Sequence, residues 1–299
     1  MIKVFCITCH KVTNPLVFTI NYLASFENNK VIVHVDKKTN ISNFNINFPS
    51  DVVFIKDRID VKWGTHSQIE SFLKLLDKAV KYNPDFTFML SGDDLPCMTN
   101  EEIDILIRSS NYKNLIHYQD ARNKWVDPLE RVKYIYPRIF YLRDPTFVQR
   151  LIKKTLKQLH LLRINKEYIL NKDKIDTFYK GSNWFGLNNN SLNKMISFIR
   201  SNVWYIKMFE KSLCGDEVFF HTLLKHLKIE DCFHDSVRMN DALRYIDWNS
   251  GPEYPKILDV HDLEKIANSN CIFARKFSED FDCSNWEDFI TNKNKSSFY

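Results

Sequence analysis

Apolar and polar positions follow two different periods along the first third of the chain. Short apolar runs at "IKVFCITCH", "KVIVHVDKK", "DVVFIKD" and "DFTFMLSGDD" are typical of buried strands. Between them, "PLVFTINYLASF" and "THSQIESFLKLLDKAVKY" repeat apolar residues at helical spacing, the first opened by Asn14 and Pro15. Ser67, with Glu70 three residues on, predicts a capping box for the second helix. Strands that alternate with helices predict an α/β fold with a mostly parallel, Rossmann-like sheet between layers of helices.

The rest of the chain has a different pattern. "TFVQRLIKKTLKQLHLLRINKEYILNKDK" predicts one long basic amphipathic helical stretch, which is either a solvated helix face or a contact with an anionic membrane through residues 150–174. Helices are also predicted through "SLNKMISFIRSN" and after "CGDE". No repeat or linker is visible, so we expect a single domain over residues 1–284 and a C-terminal tail over residues 285–299.

Composition and charge exclude several classes of protein. The net charge of +5 is too small for a nucleic-acid surface, and no apolar run reaches the roughly 20 residues of a membrane span. Seven cysteines without a repeated spacing favour reduced thiols in a cytoplasmic protein. Cys6, Cys9 and His10 match the C-x-x-C-H pattern of haem attachment, which we interpret as coincidence.

Polar residues collect where the predicted strands end. In open parallel sheets ligands bind beyond the carboxyl ends of the strands, so His10, Asp36, Asp93 and Asp94 are predicted to line one crevice. The pair in "SGDDLP" fits a metal site, an acid/base couple or an acidic turn. The six glycines fall within "WGTHS", "SGDD", "KGSNWFG", "CGDE" and "NSGP", which we interpret as loops of a site.

Seven short motifs in order carry a resemblance to a known family. "VHVDKK", "WGTHS", "LSGDDLP", "KGSNWFGL", "DEVFFHTLL", "LRYIDW" and "FARKF" resemble the core-2/I-branching β-1,6-N-acetylglucosaminyltransferases and the related peptide O-xylosyltransferases. The resemblance implies a GT-A-type glycosyltransferase fold, an inverting mechanism, a UDP-sugar donor and no required Mn²⁺ or Mg²⁺. It implies a bacterial-type, cytoplasmic member, with the nucleotide-binding part at about residues 1–110 and the acceptor and catalytic part at about residues 111–284.

The resemblance also implies roles for individual residues. Glu217 of "DEVFF" corresponds to the general base, and Asp216 caps or orients beside it. Arg275 and Lys276 of "FARKF" correspond to the cations that stabilise the leaving diphosphate; we favour Lys276, with Lys256 as a weaker second candidate. The remaining donor positions are Thr8, Cys9, His10, Asp36 and Asp94, and the acceptor positions are Trp248, Ser182, Glu130 and Arg131.

The acceptor is expected to be a glycan, a lipid-linked sugar or a polypeptide. Two classes of function other than sugar transfer are also compatible with parts of the sequence. One is a metal-dependent hydrolase that uses Asp36, Asp93 and Asp94. The other is a carbohydrate-binding relative without activity, which would need neither a base nor a phosphate-binding cation.

Overall fold

The computed structural model describes residues 1–159, 161–252 and 254–292. Within these ranges the strands are β1 (Lys3–Cys9), β2 (Asn29–Val35), β3 (Val53–Phe54), β4 (Phe86–Ser91), β5 (Leu95–Pro96), β6 (Tyr134–Ile135), β7 (Arg163–Ile164), β8 (Gly186–Asn188), β9 (Arg244–Ile246) and β10 (Phe273–Arg275). The α-helices are α1 (Asn14–Ala24), α2 (His66–Ala79), α3 (Asn100–Ser109), α4 (Pro128–Lys133), α5 (Phe147–Gln158), α6 (Lys166–Asn171), α7 (Asn189–Ser201), α8 (Val203–Phe209), α9 (Asp216–His226), α10 (Leu263–Asn268) and α11 (Trp286–Asn292).

A five-stranded sheet forms the centre of the molecule, in the order β3-β2-β1-β4-β8. The first four strands are parallel, and β8 is antiparallel to β4. Alternate residues of β1 face opposite sides of this sheet. Phe5 and Ile7 join the apolar core that includes α1 and α3, whereas Val4 and Cys6 join the core that includes α2, α7 and α9. The predicted α/β fold with a mostly parallel sheet is confirmed.

The two cysteines of the C-x-x-C-H pattern lie on opposite faces of the central sheet. Cys6 is buried in the core that includes α2, and Cys9 is buried in the core that includes α1. Residues three positions apart on a strand point in opposite directions, so these two thiols cannot attach to one haem or bind one zinc ion. This geometry agrees with the interpretation of the pattern as coincidence.

A second sheet brings together three motifs that are far apart in the sequence. Its order is β5-β10-β9, with β10 antiparallel to β5 and parallel to β9. The register pairs Phe273 with Pro96 and Arg275 with Ile246. As a result, "SGDDLP", "LRYIDW" and "FARKF" meet at one place.

The predicted capping box of α2 is wrong. The helix begins at His66, and the side chain of Thr65 caps it by accepting the N–H of Ser67 at 3.4 Å. The Ser67 hydroxyl accepts the N–H of Lys62 at 2.8 Å instead, and Glu70 is exposed. A threonine just before the helix already supplies the oxygen that the box would have provided.

The long basic helix predicted between "TFVQR" and "LNKDK" is also wrong. Helix α5 ends at Gln158, and α6 begins only at Lys166, with β7 between them. Asn165 fixes the break. Its side chain accepts the N–H of Glu167 at 3.1 Å and donates to the carbonyls of Val132 and Met208 at 3.1 and 2.9 Å. These bonds hold a buried asparagine at the start of α6, where it acts as an N-cap.

Part of the predicted C-terminal tail packs on the domain. Residues 285–299 were expected to form a tail, but Trp286 and Ile290 of α11 are buried. The indole N–H of Trp286 donates to the carbonyl of Pro96 at 2.7 Å, and its ring packs against Phe277. Two apolar residues four positions apart give α11 one face that the core covers. Residues 293–299 lie outside the described part of the chain, and the division near residue 110 stays a prediction.

Candidate active site

Backbone hydrogen bonds join the carboxyl ends of the three central parallel strands. The carbonyl of Thr8 accepts the N–H of Gly92 at 2.9 Å, and the carbonyl of Cys9 accepts the N–H of Asp36 at 2.8 Å. A Cβ at Gly92 would lie 2.9 Å from the Cβ of Cys9, so only glycine permits this approach. The predicted donor residues Thr8, Cys9 and Asp36 therefore lie together, with exposed His10 directly after them.

Asp36 holds the loop that follows β2. Its carboxylate accepts the N–H groups of Lys38 at 3.0 Å and Val61 at 3.4 Å, and the Lys38 ammonium lies 2.8 Å away. The carboxylate is nearly buried and shapes the rim of the crevice through these bonds. A ligand at this edge would meet an acid that already carries three protein donors.

Asp94 is fully buried and is bound by two arginines from other motifs. Arg244 of β9 donates to it at 2.5 Å, and Nε of Arg275 in β10 lies 3.3 Å from it. The N–H and hydroxyl of Ser91 donate to the same carboxylate at 2.9 and 2.8 Å. Two guanidinium groups balance its charge and join the "SGDD" turn to β9 and β10.

Lys276 lies at the edge of the second sheet, beside the "SGDD" turn. The N–H of Phe277, the next residue, donates to the carbonyl of Asp93 at 3.1 Å. The Arg275 guanidinium pairs with Asp94 and stacks 4.4 Å from the centre of the Trp184 ring. Of the two adjacent basic residues, Arg275 is therefore held by Asp94 and Trp184. Lys276 is the first residue after β10 and lies beside the "SGDD" turn.

The second carboxylate group of the site is at the N-terminus of α9. Asp216 is the first residue of the helix, and Gly215 holds the N-cap position. The Asp216 carboxylate accepts hydrogen bonds from Gln68 at 3.0 Å and from Asn183. Burial and the neighbouring Glu217 raise the pKa of Asp216 to about 7. Asp216 is thus a buried acid oriented by two amides.

Glu217 faces a more open environment than Asp216. Its side chain is 31% exposed and lies 3.1 Å from the ammonium of Lys180. The carbonyl of Glu217 accepts the N–H of Gly181 at 2.9 Å, which joins the "KGSNWFG" loop to the helix. A Cβ at Gly181 would lie 2.0 Å from the carbonyl oxygen of His117, so this loop requires glycine. A carboxylate that is accessible in this way can receive a proton from a bound hydroxyl group.

These contacts connect the motifs into one network. Trp184 packs on Arg275, and its neighbour Asn183 donates to Asp216. Gln68 donates to Asp216 and accepts the N–H of Gly64, whose own carbonyl accepts the N–H of Cys214. Residues from "WGTHS", "SGDD", "KGSNWFG", "CGDE", "LRYIDW" and "FARKF" therefore lie side by side.

The four predicted acceptor residues do not all lie in the same part of the structure. Trp248 is 57% exposed just after β9, which pairs in parallel with β10, so it leaves the sheet at the same edge as Lys276. Ser182 lies in the loop joined to Glu217, where its N–H donates to the carbonyl of His117 at 3.2 Å. Exposed Glu130 instead faces α5, with Lys157 at 3.5 Å. The carbonyl of Arg131 accepts the N–H of Leu213 at 3.1 Å, three residues before Asp216.

Several residues of this network were not singled out from the sequence. They lie within the motifs that carry the resemblance or directly after one, but their roles depend on long-range contacts: Lys180, Asn183, Gln68 and Arg244.

Lys256 is the weaker of the predicted candidates for binding the diphosphate. Its ammonium is held by the buried carboxylate of Asp262, at 2.7 and 2.8 Å from the two oxygens.

A group of possible metal ligands lies apart from the acids of the crevice. Over the described part of the chain, the one group of three histidine, cysteine or acidic side chains close enough to share a metal ion is His117, Asp120 and Asp241. Arg122 pairs with both acids of this group, at 2.6 and 2.9 Å. Asp36, Asp93 and Asp94 are not part of such a group among the described residues.

A comparison with known protein families shows to which family this chain belongs. Residues 4–267 match the sequence model of the Core-2/I-Branching enzyme family. The chain belongs to this family. The resemblance drawn from the seven motifs is thereby confirmed, and this member of the Core-2/I-Branching family is a glycosyltransferase with a GT-A-like fold.

Other comparisons add little to the family assignment. No curated protein matches the chain. One solved structure with some similarity is described as a glucose-1-phosphate thymidylyltransferase from Bacillus anthracis, in complex with sucrose. It is 11% identical with a TM-score of 0.37, over 77% of this chain and 85% of that one.

Proposed function

We propose that this chain transfers a sugar, N-acetylglucosamine or xylose, from a UDP-sugar to a hydroxyl group of a glycan or glycoconjugate, with inversion at the anomeric carbon. The observation that carries the proposal is the accessible Glu217 carboxylate, which Lys180 and the "KGSNWFG" loop hold at the start of α9. An inverting transfer needs one base, placed beside the acceptor hydroxyl. Trp248 and Ser182 lie on the acceptor side, where an indole ring can pack against a sugar face.

In this mechanism the donor binds at the carboxyl ends of β1, β2 and β4. Thr8, Cys9, His10 and Asp36 surround the nucleoside there. Lys276 stabilises the charge that develops on the leaving diphosphate, while Arg275 and Asp94 fix the strand that presents it. Glu217 takes the proton of the acceptor hydroxyl as its oxygen attacks the anomeric carbon, and UDP leaves from the opposite face.

We further propose that the reaction requires no divalent metal ion. In a site that holds a metal through acids, those acids must be free to coordinate it. Here Asp94 is buried and is neutralised by Arg244 and Arg275. Fixed protein cations therefore perform the electrostatic role at the diphosphate.

Replacing the base tests the mechanism. Glu217→Gln should lower transfer from a UDP-sugar by at least about a hundredfold, because the amide cannot accept the proton. UDP affinity should stay within about twofold, since Glu217 lies on the acceptor side. Glu210→Gln, a nearby exposed glutamate in the same chain, serves as the matched control and should keep full activity. Undiminished transfer by Glu217→Gln would show that the base is another residue.

A further inference from the structure

Helix α5 exposes most of its apolar side chains, while two of its lysines reach toward the protein. Lys153 donates to the carbonyl of Leu142 at 3.3 Å and lies 6.0 Å from the ring of Phe140. Lys157 lies 6.0 Å from the ring of Tyr136. Not one of the helix's twelve residues is buried. In a soluble helix the apolar stripe normally faces the core and the charges face water.

The apolar side of α5 faces solvent. Phe147 is 80% exposed, Val148 63%, Leu151 55% and Ile152 43%. These positions fall on one face of the helix, because residues four apart lie above one another. The segment that follows α5 also exposes large apolar side chains, those of Leu159, Leu161, Ile164, Ile169 and Leu170. A cavity of about 310 Å³ opens among Ile164, Lys166, Ile169 and Leu170.

Positive charge accompanies this surface, which we define as the 147–174 surface. The segment contains eight lysines and arginines against two acidic residues, a net charge of +6, whereas the whole chain has +5. Its exposed cations include Arg150, Lys154, Arg163 and Lys166. Exposed apolar side chains set among cations are typical of helices that lie in the interface of an anionic membrane.

We propose that the 147–174 surface docks this protein on an anionic lipid bilayer. The apolar face of α5 enters the boundary between headgroups and acyl chains, and the surrounding cations bind the phosphates. A second copy of the chain fits poorly, because it would place +6 against +6. Among the described residues, none of the helices could span a bilayer.

The docking surface is connected to the acceptor side of the site. Leu156 of α5 packs on a small core that contains Tyr136, Leu213 and Cys214. Cys214 comes two residues before Asp216 in the sequence, and its N–H donates to the carbonyl of Gly64 at 2.7 Å. The bilayer would therefore lie beside the loop that leads into α9.

Flotation of the full chain with lipid vesicles tests the proposal. We expect binding to vesicles that contain phosphatidylglycerol and at least about tenfold weaker binding to vesicles of phosphatidylcholine alone. Phe147→Gln with Leu151→Gln should weaken binding to the anionic vesicles by at least about tenfold. Lys154→Gln with Lys166→Gln should weaken it by about tenfold as well. All four side chains are exposed, so the Tm should stay unchanged.

Matched controls separate this surface from general hydrophobicity. Val237 and Val260 are 93% and 62% exposed elsewhere, and Val237→Gln with Val260→Gln should float like the wild type. Absent or lipid-independent flotation, or wild-type binding by Phe147→Gln with Leu151→Gln, would overturn the proposal. A wild-type dimer that this double variant dissociates would overturn it too, in favour of a second copy. UDP binding is measured separately, so its loss would affect only the proposed function.

Discussion

Two adjacent carboxylates at the start of α9 lie in opposite environments. Asp216 is buried, accepts hydrogen bonds from two amides and has a raised pKa, whereas Glu217 is accessible and faces Lys180. Two neighbouring carboxyl groups in such different environments can take different roles. The sequence "DE" alone does not separate these roles, because the difference comes from Gln68, Asn183 and Lys180 in other segments.

Lys180 should position Glu217 for the reaction, because its ammonium lies 3.1 Å from the Glu217 carboxylate. In Lys180→Met we expect kcat for transfer to fall by about tenfold, with unchanged UDP affinity, since the carboxylate loses the partner that orients it. Steady-state kinetics of transfer measure this, with Lys194→Met, an exposed lysine of α7, as the control. Equal kcat for wild type and Lys180→Met would show that the ion pair has no part in positioning Glu217.

Asp216 should make stability depend on pH. Burial and Glu217 raise its pKa to about 7 from an ordinary value of 3.8, so the folded protein binds this proton more tightly than the unfolded chain. The resulting stabilisation is complete below about pH 4 and is lost as the pH rises through about 7. Asp216→Asn cannot ionise. The free energy of unfolding of the wild type should therefore fall relative to that of Asp216→Asn as the pH rises from about 4 to about 7.

Urea unfolding at a series of pH values measures this difference. Asp176→Asn, at an exposed aspartate, is the control and should follow the wild type throughout. The interpretation of Asp216 as a buried protonated acid would be untenable if the difference between Asp216→Asn and wild type stayed constant from pH 4 to 8.

Among the elements, those with strong local patterns were predictable. The apolar runs of β1, β2 and β4 and the amphipathic α2 appear where the sequence places them, because burial on a sheet or a helix face imposes its own period. The break between α5 and α6 was not predictable, since Asn165 fixes it through the distant carbonyls of Val132 and Met208. Strands β9 and β10 are three residues each, too short for a period to show.

Arg244 joins the two sheets, so its loss should be costly. It donates from β9 to Asp94 after β4 and to the carbonyl of Met89 at 2.9 Å. Arg244→Met leaves a buried carboxylate with one arginine and should lower the free energy of unfolding by about 3–5 kcal/mol. Urea unfolding measures this. Arg200→Met breaks the exposed pair with Asp77 and, as the control, should cost less than about 1 kcal/mol.

A second substitution shows whether the charge is the cause. Adding Asp94→Asn to Arg244→Met should restore part of the lost stability, because the neutral amide no longer needs two cations. A loss for Arg244→Met as small as that for Arg200→Met would contradict the assignment of this pair as the link between the sheets.

At the scale of the whole molecule, the sheets place a donor edge and an acceptor side next to each other. The parallel strands bring Thr8, Asp36 and the "SGDD" turn to one edge, and β10 brings Lys276 to the same place. Helix α9 and the "KGSNWFG" loop bring Glu217 from the other side. The family resemblance predicted which motifs take part, whereas the contacts that organise them, above all Asp94 with two arginines, required the structure.

Calorimetric titration with nucleoside diphosphates in the presence of EDTA tests the central claim most directly. The account predicts that UDP binds, that ADP and GDP bind far more weakly, and that EDTA leaves UDP affinity unchanged. Lys276→Met should weaken UDP binding by about tenfold or more through the lost charge at the diphosphate. Absence of UDP binding, or binding that appears only after Mn²⁺ is added, would contradict the account.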